Sequence, residues 1–155
     1  MQAKSRDELI GELITRYRVA GNRDVAFDKL AAARLEISVT DLHCLNIVES
    51  RAGLTAGELA KESGLTTGAV TAVIDRLERA GFARRVRDER DRRKVLVEVT
   101  PAFYARAEEI WAPAAADWQR TLGDRFSDAE LATIVAFLTQ AGELAERHAE
   151  RLAAG

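Results

Sequence analysis

The sequence predicts a mostly α-helical chain that carries one small β-hairpin. Glu follows three positions after Ser5, Thr55 and Ser127, and this reciprocal capping pattern indicates the start of a helix. Two runs rich in β-prone residues, FARRV and KVLVEV, follow one another with a charged turn between them. These observations together favour a helical fold with a two-stranded hairpin.

The elements are expected in a definite order along the chain. Ser38 begins a weaker capping pattern, and Thr100 before Pro101 places proline at the first helical position, where its missing N–H breaks no helical hydrogen bond. Gly21 and Asn22 provide a point at which the first helix could break in two. The expected elements are helices at 6–34, 39–51, 56–63 and 67–80, strands at 83–87 and 93–99, and helices at 101–121 and 128–152.

Length and composition limit the classes of protein to which the chain can belong. With 155 residues, 47% of them hydrophobic, the chain can bury one core. No window approaches the roughly 18 uninterrupted apolar residues of a membrane span, and the first residues lack the apolar segment of a secretory signal. We therefore expect a cytoplasmic protein without membrane contact. Cys44 is the single cysteine, so no internal disulfide is expected. It is expected to be buried beside Leu45 and Val48, and a redox role is the alternative. His43 and His148 are too few for a metal site, so no cofactor is expected.

Residues 54–82 have the spacing of a helix-turn-helix, in which two helices meet at a turn of a few residues. The segment is LTAGELAKESGLTTGAVTAVIDRLERAGF, and Gly64 can adopt the left-handed conformation that a tight turn needs. Thr66 is expected to cap the second helix and Gly81 to end it. Four apolar residues of this helix recur at the spacing of one buried stripe: Val70, Val73, Ile74 and Leu77.

The opposite face of the second helix has the composition expected of a helix that enters the major groove of DNA. Small residues near its N-terminus would let the backbone approach base edges, while the helix dipole faces the phosphates. Gly68 lowers helix propensity by about 1 kcal/mol relative to alanine. We expect that a close approach of the helix backbone to DNA offsets this cost. The expected DNA contacts of this helix are Thr66, Thr67, Gly68, Thr71, Ala72 and Arg76.

Side-chain chemistry suggests a role for several of these residues. Thr71 and Ala72 suit contacts with thymine methyl groups, and Arg76 suits a guanine edge or a phosphate. Asp75 has two interpretations. It could accept a hydrogen bond from cytosine, or it could have the more ordinary role of pairing with Arg79 one turn later.

Positive charge is concentrated from the end of this helix onward, although the whole chain has a formal net charge of -2. Residues 76–94 contain nine basic and four acidic side chains, a local charge of +5. Four of the cations lie in the turn of the hairpin: Arg90, Arg92, Arg93 and Lys94. Beside a helix in the major groove, such a turn can enter the adjacent minor groove, although it could also be only a solvated hairpin tip. Asp88 and Asp91 are expected to orient the guanidinium groups by bidentate pairing.

These segments together resemble the winged helix-turn-helix of the MarR family of transcription regulators. The similarity is carried by LAKESGL, by TTGAVTAVIDRLERAGFARR and above all by DERDRRKVLVEVT, which stand where that family has its recognition helix and wing. The resemblance implies a winged helix-turn-helix flanked by N- and C-terminal dimerisation helices. It also implies a homodimer that binds double-stranded DNA at a pseudo-palindromic operator. Gly68 departs from the family pattern, which often has a proline or polar residue there.

The helices at both ends of the chain carry apolar stripes that a compact winged helix does not need. The stripes comprise Leu9, Ile10, Leu13, Ile14 and Tyr17 near one end and Leu131, Ile134, Val135, Leu138, Ala141, Ala145 and Leu152 near the other. Since end helices of a small domain have little of their own chain to bury against, a partner chain is expected to cover them. The expected division is an N-terminal dimerisation helix at 1–37, a DNA-binding domain at 38–100 and C-terminal dimerisation helices at 101–155, all in one compact body.

An effector site is a further expectation. Pro113 is expected to kink its helix, and two tryptophans lie within a few residues of it. The resemblance implies a cleft for a small aromatic or phenolic ligand. Its candidate residues are Tyr17, His43, Trp111 and Trp118. Both tryptophans could instead fill the core or the dimer interface.

The sequence leaves three functional classes to compare. A DNA-binding transcriptional regulator, most often a repressor in this family and tuned by a ligand, is the preferred one. An enzyme is disfavoured because the chain shows no Ser/His/Asp or Cys/His arrangement and no phosphate-binding glycine loop. A winged-helix protein-interaction module without specific DNA binding remains the alternative, although it would not need so many cations in the hairpin turn.

Overall fold

The computed structural model describes residues 4–51 and 53–154. Within these residues the chain is mainly helical and contains one small sheet. The elements are α1 (Arg6–Arg34), α2 (Val39–Ser50), β1 (Leu54–Thr55), α3 (Ala56–Ser63), α4 (Thr67–Arg79), β2 (Ala83–Arg87), β3 (Val95–Val99), α5 (Pro101–Arg125) and α6 (Asp128–Ala154). No helix in the described ranges is both long and apolar enough to cross a membrane.

The chain divides into two compact units, Met1–Ile110 and Trp111–Gly155. The first unit contains α1 to α4, the sheet and the start of α5, and the second contains the rest of α5 together with α6. The domain boundaries predicted at residues 37 and 100 stay predictions.

The predicted helix starts carry the predicted caps. Ser38 Oγ accepts a hydrogen bond from the Asp41 N–H at 3.0 Å, and Asp41 Oδ2 accepts one from the Ser38 N–H at 3.2 Å. The weaker pattern in the sequence is therefore a complete capping box. The same reciprocal hydrogen bonds begin at Ser5, Thr55 and Ser127.

α1 and α5 differ from the prediction. α1 runs from Arg6 to Arg34 as predicted and continues without interruption, so the possible break at Gly21 and Asn22 does not occur. A glycine inside a helix costs about 1 kcal/mol relative to alanine, which a helix of 29 residues can tolerate. α5 ends at Arg125 instead of residue 121, and a hydrogen bond from the Phe126 N–H to the Leu122 carbonyl at 3.0 Å closes its last turn.

The sheet has the order β1-β3-β2, with β3 antiparallel to both neighbours. β1 was not predicted, because two residues are too few to show a strand pattern, yet Leu54 lies opposite Val97 and extends the sheet beyond the hairpin. β3 begins at Val95 and not at residue 93. The reason is that the Lys94 N–H donates to the Asp91 carbonyl at 2.8 Å, which makes Lys94 part of the turn.

The core of the first unit lies between α2, α3, α4 and the sheet. Phe103 at the start of α5 closes it, with its ring centroid 5.7 Å from that of Phe82 in an edge-to-face contact. The largest fully buried side chains are Phe103, Leu42, Leu45, Leu59, Ile74, Leu77, Val70, Val73, Val97 and Cys44. The buried position predicted for Cys44 is thus confirmed, and burial raises the pKa of its thiol.

α1 and α4 both end in a turn of the Schellman type, in which two backbone N–H groups beyond the helix bond to carbonyls of its last turn. After α4, the Phe82 N–H donates to the Leu77 carbonyl at 2.9 Å, and Gly81 has a φ of 75°. After α1, the Ile37 N–H donates to the Ala32 carbonyl at 3.0 Å, but the left-handed residue there is Glu36, with a φ of 59°. The C-terminus predicted at Gly81 is confirmed.

Candidate nucleic-acid interface

α4 buries one face and exposes the other, as the sequence predicts. Val70, Val73, Ile74 and Leu77 are at most 1% exposed and pack into the core. The opposite face is exposed along its whole length, and its residues are Thr67, Gly68, Thr71, Ala72, Asp75, Arg76 and Arg79. The apolar stripe therefore fixes which side of α4 faces away from the protein.

The exposed face is slim at the N-terminus of α4. Thr66 Oγ1 caps the helix by accepting from the Ala69 N–H at 3.3 Å. The Thr71 hydroxyl donates to the Thr67 carbonyl one turn back, at 3.0 Å, so it is already engaged within the helix. A Cβ at Gly68 would meet no atom within 4 Å. The protein itself therefore does not require glycine at this position.

Arg76, predicted to contact a base or a phosphate, has a partner inside the protein. Its Nη2 lies 2.5 Å from Asp41 Oδ1, and its Nε lies 3.1 Å and 3.2 Å from the two carboxylate oxygens. Asp41 is 2% exposed, whereas the Arg76 side chain is 43% exposed. Burial opposes the charged form of Asp41, but the hydrogen bonds from Arg76 and Ser38 outweigh it and lower the pKa of the carboxyl. Arg76 thus ties α4 to α2 through the Asp41 carboxylate.

The pairing of Asp75 with Arg79 predicted from their spacing is wrong. Arg79 Nε donates to the Asp75 backbone carbonyl at 3.2 Å, and the Asp75 carboxylate instead accepts from Arg85 Nη2 at 2.7 Å. Arg85 also forms an ion pair with Glu78. Arg85 on β2 pairs with Asp75 in preference to Arg79, because its guanidinium reaches both acidic side chains of α4 at once.

The turn between β2 and β3, residues 88–94, is held by hydrogen bonds within the turn itself, from its main chain and from two aspartate side chains. The Asp88 N–H donates to the Lys94 carbonyl at 3.1 Å. Asp88 Oδ1 accepts from the backbone N–H groups of Arg90 at 2.6 Å and Asp91 at 3.2 Å, and these two bonds lower the pKa of Asp88. Asp91 Oδ1 accepts from Arg93, from its N–H at 3.2 Å and its Nε at 3.3 Å.

The two aspartates therefore shape the turn in a different way from the predicted bidentate pairing. Asp88 binds main-chain N–H groups, which is the local pattern that aspartate forms in turns. Asp91 holds one guanidinium through a single oxygen. The turn presents four exposed cations, namely Arg90, Arg92, Arg93 and Lys94. The Arg93 side chain is 94% exposed in spite of its bond to Asp91.

Comparison with known proteins places this geometry in a family. The MarR family model matches residues 37–95, which span α2 to the start of β3. YcgE of Bacillus subtilis strain 168, named as an uncharacterized HTH-type transcriptional regulator, is 36% identical over 148 residues, covering 96% of each chain. The chain belongs to the MarR family. This MarR family protein is therefore a DNA-binding transcriptional regulator and not an enzyme.

Solved structures confirm the winged-helix fold of this MarR family protein. A MarR family protein from Bacillus stearothermophilus is 22% identical with a TM-score of 0.68, covering 92% of this chain and 99% of that one. FabT of Streptococcus pneumoniae, solved in complex with DNA, is 24% identical with a TM-score of 0.63, covering 88% of this chain and 97% of that one. The predicted fold class, mostly helical with a small β-wing, is thus confirmed.

The four candidate effector residues lie in both units of the MarR family protein. Tyr17 on α1 and His43 on α2 are exposed in the first unit. In the second unit, Trp111 is half-buried and Trp118 is 63% exposed, and α5 is continuous through Pro113. The predicted ligand cleft and the predicted kink stay predictions.

Two ion-pair clusters around α4 were not predicted from the sequence. One joins Arg76 to Asp41, and the other joins Arg85 to Asp75 and Glu78. The two residues of the first cluster are 35 positions apart in the sequence, so no local sequence pattern indicates their contact. The second cluster does have a sequence signal. Asp75 and Glu78 lie on one face of a helix, and that helix ends just before the β-prone run that contains Arg85.

Proposed function

We propose that this MarR family regulator is a cytoplasmic repressor that binds a pseudo-palindromic operator as a homodimer and is tuned by a small aromatic effector. In this proposal α4 enters the major groove, and the turn at residues 88–94 enters the adjacent minor groove. The observation that carries it is the pairing of a slim exposed helix face with an exposed cationic turn on the hairpin that follows.

Electrostatics supports the DNA contacts in the turn. Arg90, Arg92, Arg93 and Lys94 are exposed, and the carboxylates of the turn serve mainly to fix its backbone. The positive charge of these four cations is therefore only partly neutralised within the protein. An arginine presented in this way is attracted to the strong negative potential of a narrow minor groove.

Exposed apolar side chains support the homodimer. On α1, Leu9, Ile10, Leu13 and Ile14 are 45–56% exposed. On α6, Val135 is 63%, Leu138 52%, Leu144 48% and Leu152 85% exposed. Large apolar side chains in contiguous turns of a helix usually indicate a surface that another chain covers. A two-fold dimer would match the two halves of an inverted repeat, with recognition helices separated by about 34 Å.

An exposed aromatic side chain on α5 supports the effector. Trp118 is 63% exposed, so its indole ring is available to stack on an aromatic ligand. Titration of a panel of phenols and aromatic carboxylates, followed by tryptophan fluorescence, tests for binding. Trp118→Phe and Trp111→Phe assign any signal, and loss of operator binding on saturation would establish regulation.

Selection of duplexes from a random pool by the purified protein tests the operator and the dimer together. We expect an enriched inverted repeat whose half-sites lie about one helical turn apart. Binding to the selected duplex should weaken steeply between about 50 and 200 mM salt, since each neutralised phosphate contributes about -0.9 to the logarithmic slope. Recovery of no common motif, or of a motif without symmetry, would contradict the proposal.

Variants in the turn test the role of the wing. Arg92→Ala combined with Arg93→Ala should weaken binding to the selected duplex by about 1–3 kcal/mol and reduce the salt slope, with no change in thermal stability. Arg23→Ala, which removes an exposed arginine from α1, is the control for a simple loss of charge. Equal affinity of the double variant and the control would exclude the wing from the interface.

A further inference from the structure

Arg85 on β2 holds two carboxylates of α4 with one guanidinium group. Its Nη2 lies 2.7 Å from Asp75 Oδ1, and its Nη1 pairs with Glu78. The Arg85 backbone N–H also donates to Glu78 Oε1 at 2.8 Å. We call these three residues, Arg85, Asp75 and Glu78, the Arg85 fork.

The fork connects the two elements that are proposed to contact DNA. Asp75 and Glu78 lie three positions apart and therefore on one face of α4. β2 is an edge strand of the sheet, and Glu78 supplies an acceptor for one of its main-chain N–H groups. The turn with the exposed cations begins directly after β2 ends at Arg87. A contact in the middle of β2 therefore restricts where the turn can lie relative to α4.

The planar guanidinium group makes arginine well suited to hold two carboxylates at once. The guanidinium presents N–H donors in a fixed fork, so two carboxylates determine its orientation, whereas a lysine ammonium would be a single flexible point of charge. The side chains of Arg85 and Glu78 are 32% and 33% exposed and that of Asp75 is 53% exposed, so the contact with Glu78 is the more shielded of the two. The hydrogen bonds that Arg85 donates to Asp75 and Glu78 raise the pKa of Arg85, which remains charged at any working pH.

We propose that the Arg85 fork positions the wing against the recognition helix, so that both can enter neighbouring grooves of one duplex. The proposal rests on the docking mode proposed above. Arg85, Asp75 and Glu78 are positioning residues in this scheme, because they act through the turn at residues 88–94 and through α4. The competing explanation is that Arg85 contacts a DNA phosphate directly and that its acidic partners merely hold it in the absence of DNA.

The two explanations predict opposite effects of removing the acidic partners. If Arg85 contacts a phosphate, Asp75→Ala with Glu78→Ala frees its guanidinium and removes negative charge beside DNA, so affinity rises. If the fork positions the wing, affinity for the operator falls in spite of the more favourable charge. Arg85→Lys separates them again, because lysine serves well as a point charge for phosphate but cannot bridge both carboxylates.

Binding to the selected duplex and to an unrelated duplex is the first measurement. We expect the Asp75→Ala/Glu78→Ala variant and Arg85→Lys to lose about tenfold in affinity for the selected duplex and to lose less for the unrelated one. Asp24→Ala, which removes an exposed acidic side chain from α1, an element outside the proposed DNA contacts, is the control and should keep its affinity. The fork has no positioning role if the double variant binds the selected duplex as tightly as the control does.

Amide hydrogen exchange in the absence of DNA is the second measurement. It tests whether the fork restrains the wing, and it does not depend on the operator. Amides of residues 84–94 should exchange several-fold faster in the double variant, while those of the α4 core and the melting temperature remain close to wild type. Unchanged exchange in residues 84–94 would overturn the proposal. If the wild-type protein selects no duplex at all, the proposed docking fails, and the exchange result still decides whether the fork restrains the wing.

Discussion

Arg76 on α4 holds the buried carboxylate of Asp41 on α2, with 2.5 Å between Arg76 Nη2 and Asp41 Oδ1. Asp41 also completes the capping box of α2 through Ser38. One carboxylate therefore fixes the start of α2 and the position of α4. This arrangement makes Arg76 a stabilising residue of the fold.

Replacement of Arg76 should accordingly destabilise the protein. Arg76→Ala leaves Asp41 buried without its cation, and we expect a loss of about 1–3 kcal/mol in the free energy of unfolding, because an uncompensated buried acceptor retains its desolvation cost. Urea denaturation measures the loss, and a double-mutant cycle with Asp41→Ala measures the coupling. Arg79→Ala, on the same helix and exposed, should change stability by less than about 0.5 kcal/mol. Equal effects of the two arginine substitutions would refute a special role for Arg76.

Acid should weaken the fold partly through Asp41. The pKa of Asp41 is below its ordinary value in the folded protein, because hydrogen bonds from Arg76 and Ser38 outweigh the cost of burial. The carboxylate therefore stabilises the fold at neutral pH, and this contribution is lost as the pH falls through the folded-state pKa, below about pH 4. Asp41→Asn can still accept a hydrogen bond at the cap but cannot titrate. Its free energy of unfolding should fall less than that of wild type in urea titrations from neutral pH to below about pH 4.

The acid effect must be separated from that of exposed capping carboxylates. The pKa of Glu8 is also lowered, by hydrogen bonds from the backbone and hydroxyl of Ser5. Glu8→Gln removes that titration and serves as the control. If Asp41→Asn and wild type lose stability in parallel on acidification, the buried ion pair is not the source of the pH dependence.

The same turn at the ends of α1 and α4 provides a matched pair of substitutions. Glu36 adopts a φ of 59°, which strains a residue with a Cβ, whereas Gly81 adopts a φ of 75° without that cost. Glu36→Gly should stabilise the protein by about 0.5–1 kcal/mol, and Gly81→Ala should destabilise it by about 1 kcal/mol. A Cβ at Gly81 would meet no atom within 4 Å, so its cost comes from the backbone alone. Thermal denaturation of both variants checks the opposite signs, and a loss of stability in Glu36→Gly would contradict the strain.

Features that depend on neighbours in sequence were predictable, and features that depend on distant partners were not. The caps at Ser5, Thr55 and Ser127 follow from residues three positions apart, and the buried stripe of α4 follows from one helical period. The turn with its exposed cations was also predictable, because its charge is visible in the sequence.

The ion pairs of α4 show why the rest could not be predicted. Helical spacing suggested Asp75 with Arg79, but the tertiary structure brings Arg85 to Asp75, and a guanidinium that bonds two carboxylates outcompetes a pair exposed to solvent. Arg76 similarly has a side chain and a position on α4 that suit a DNA contact. The fold, however, places the Asp41 carboxylate of α2 beside it. Partners across the fold decide which of several charged residues on one helix are available to a ligand.

Gly68 offers a test that separates stability from DNA binding. It is exposed near the start of α4, and a Cβ there would meet no protein atom within 4 Å. Gly68→Ala should therefore raise the free energy of unfolding by about 0.5–1 kcal/mol through helix propensity. If the backbone of α4 approaches base edges at this point, the added methyl group should at the same time weaken binding to the selected duplex. Gly123→Ala on α5 is the control, since it also adds a methyl group in open space but lies far along the chain from α4. A Gly68→Ala protein that is both more stable and equally tight in binding would show that glycine is not needed for close approach.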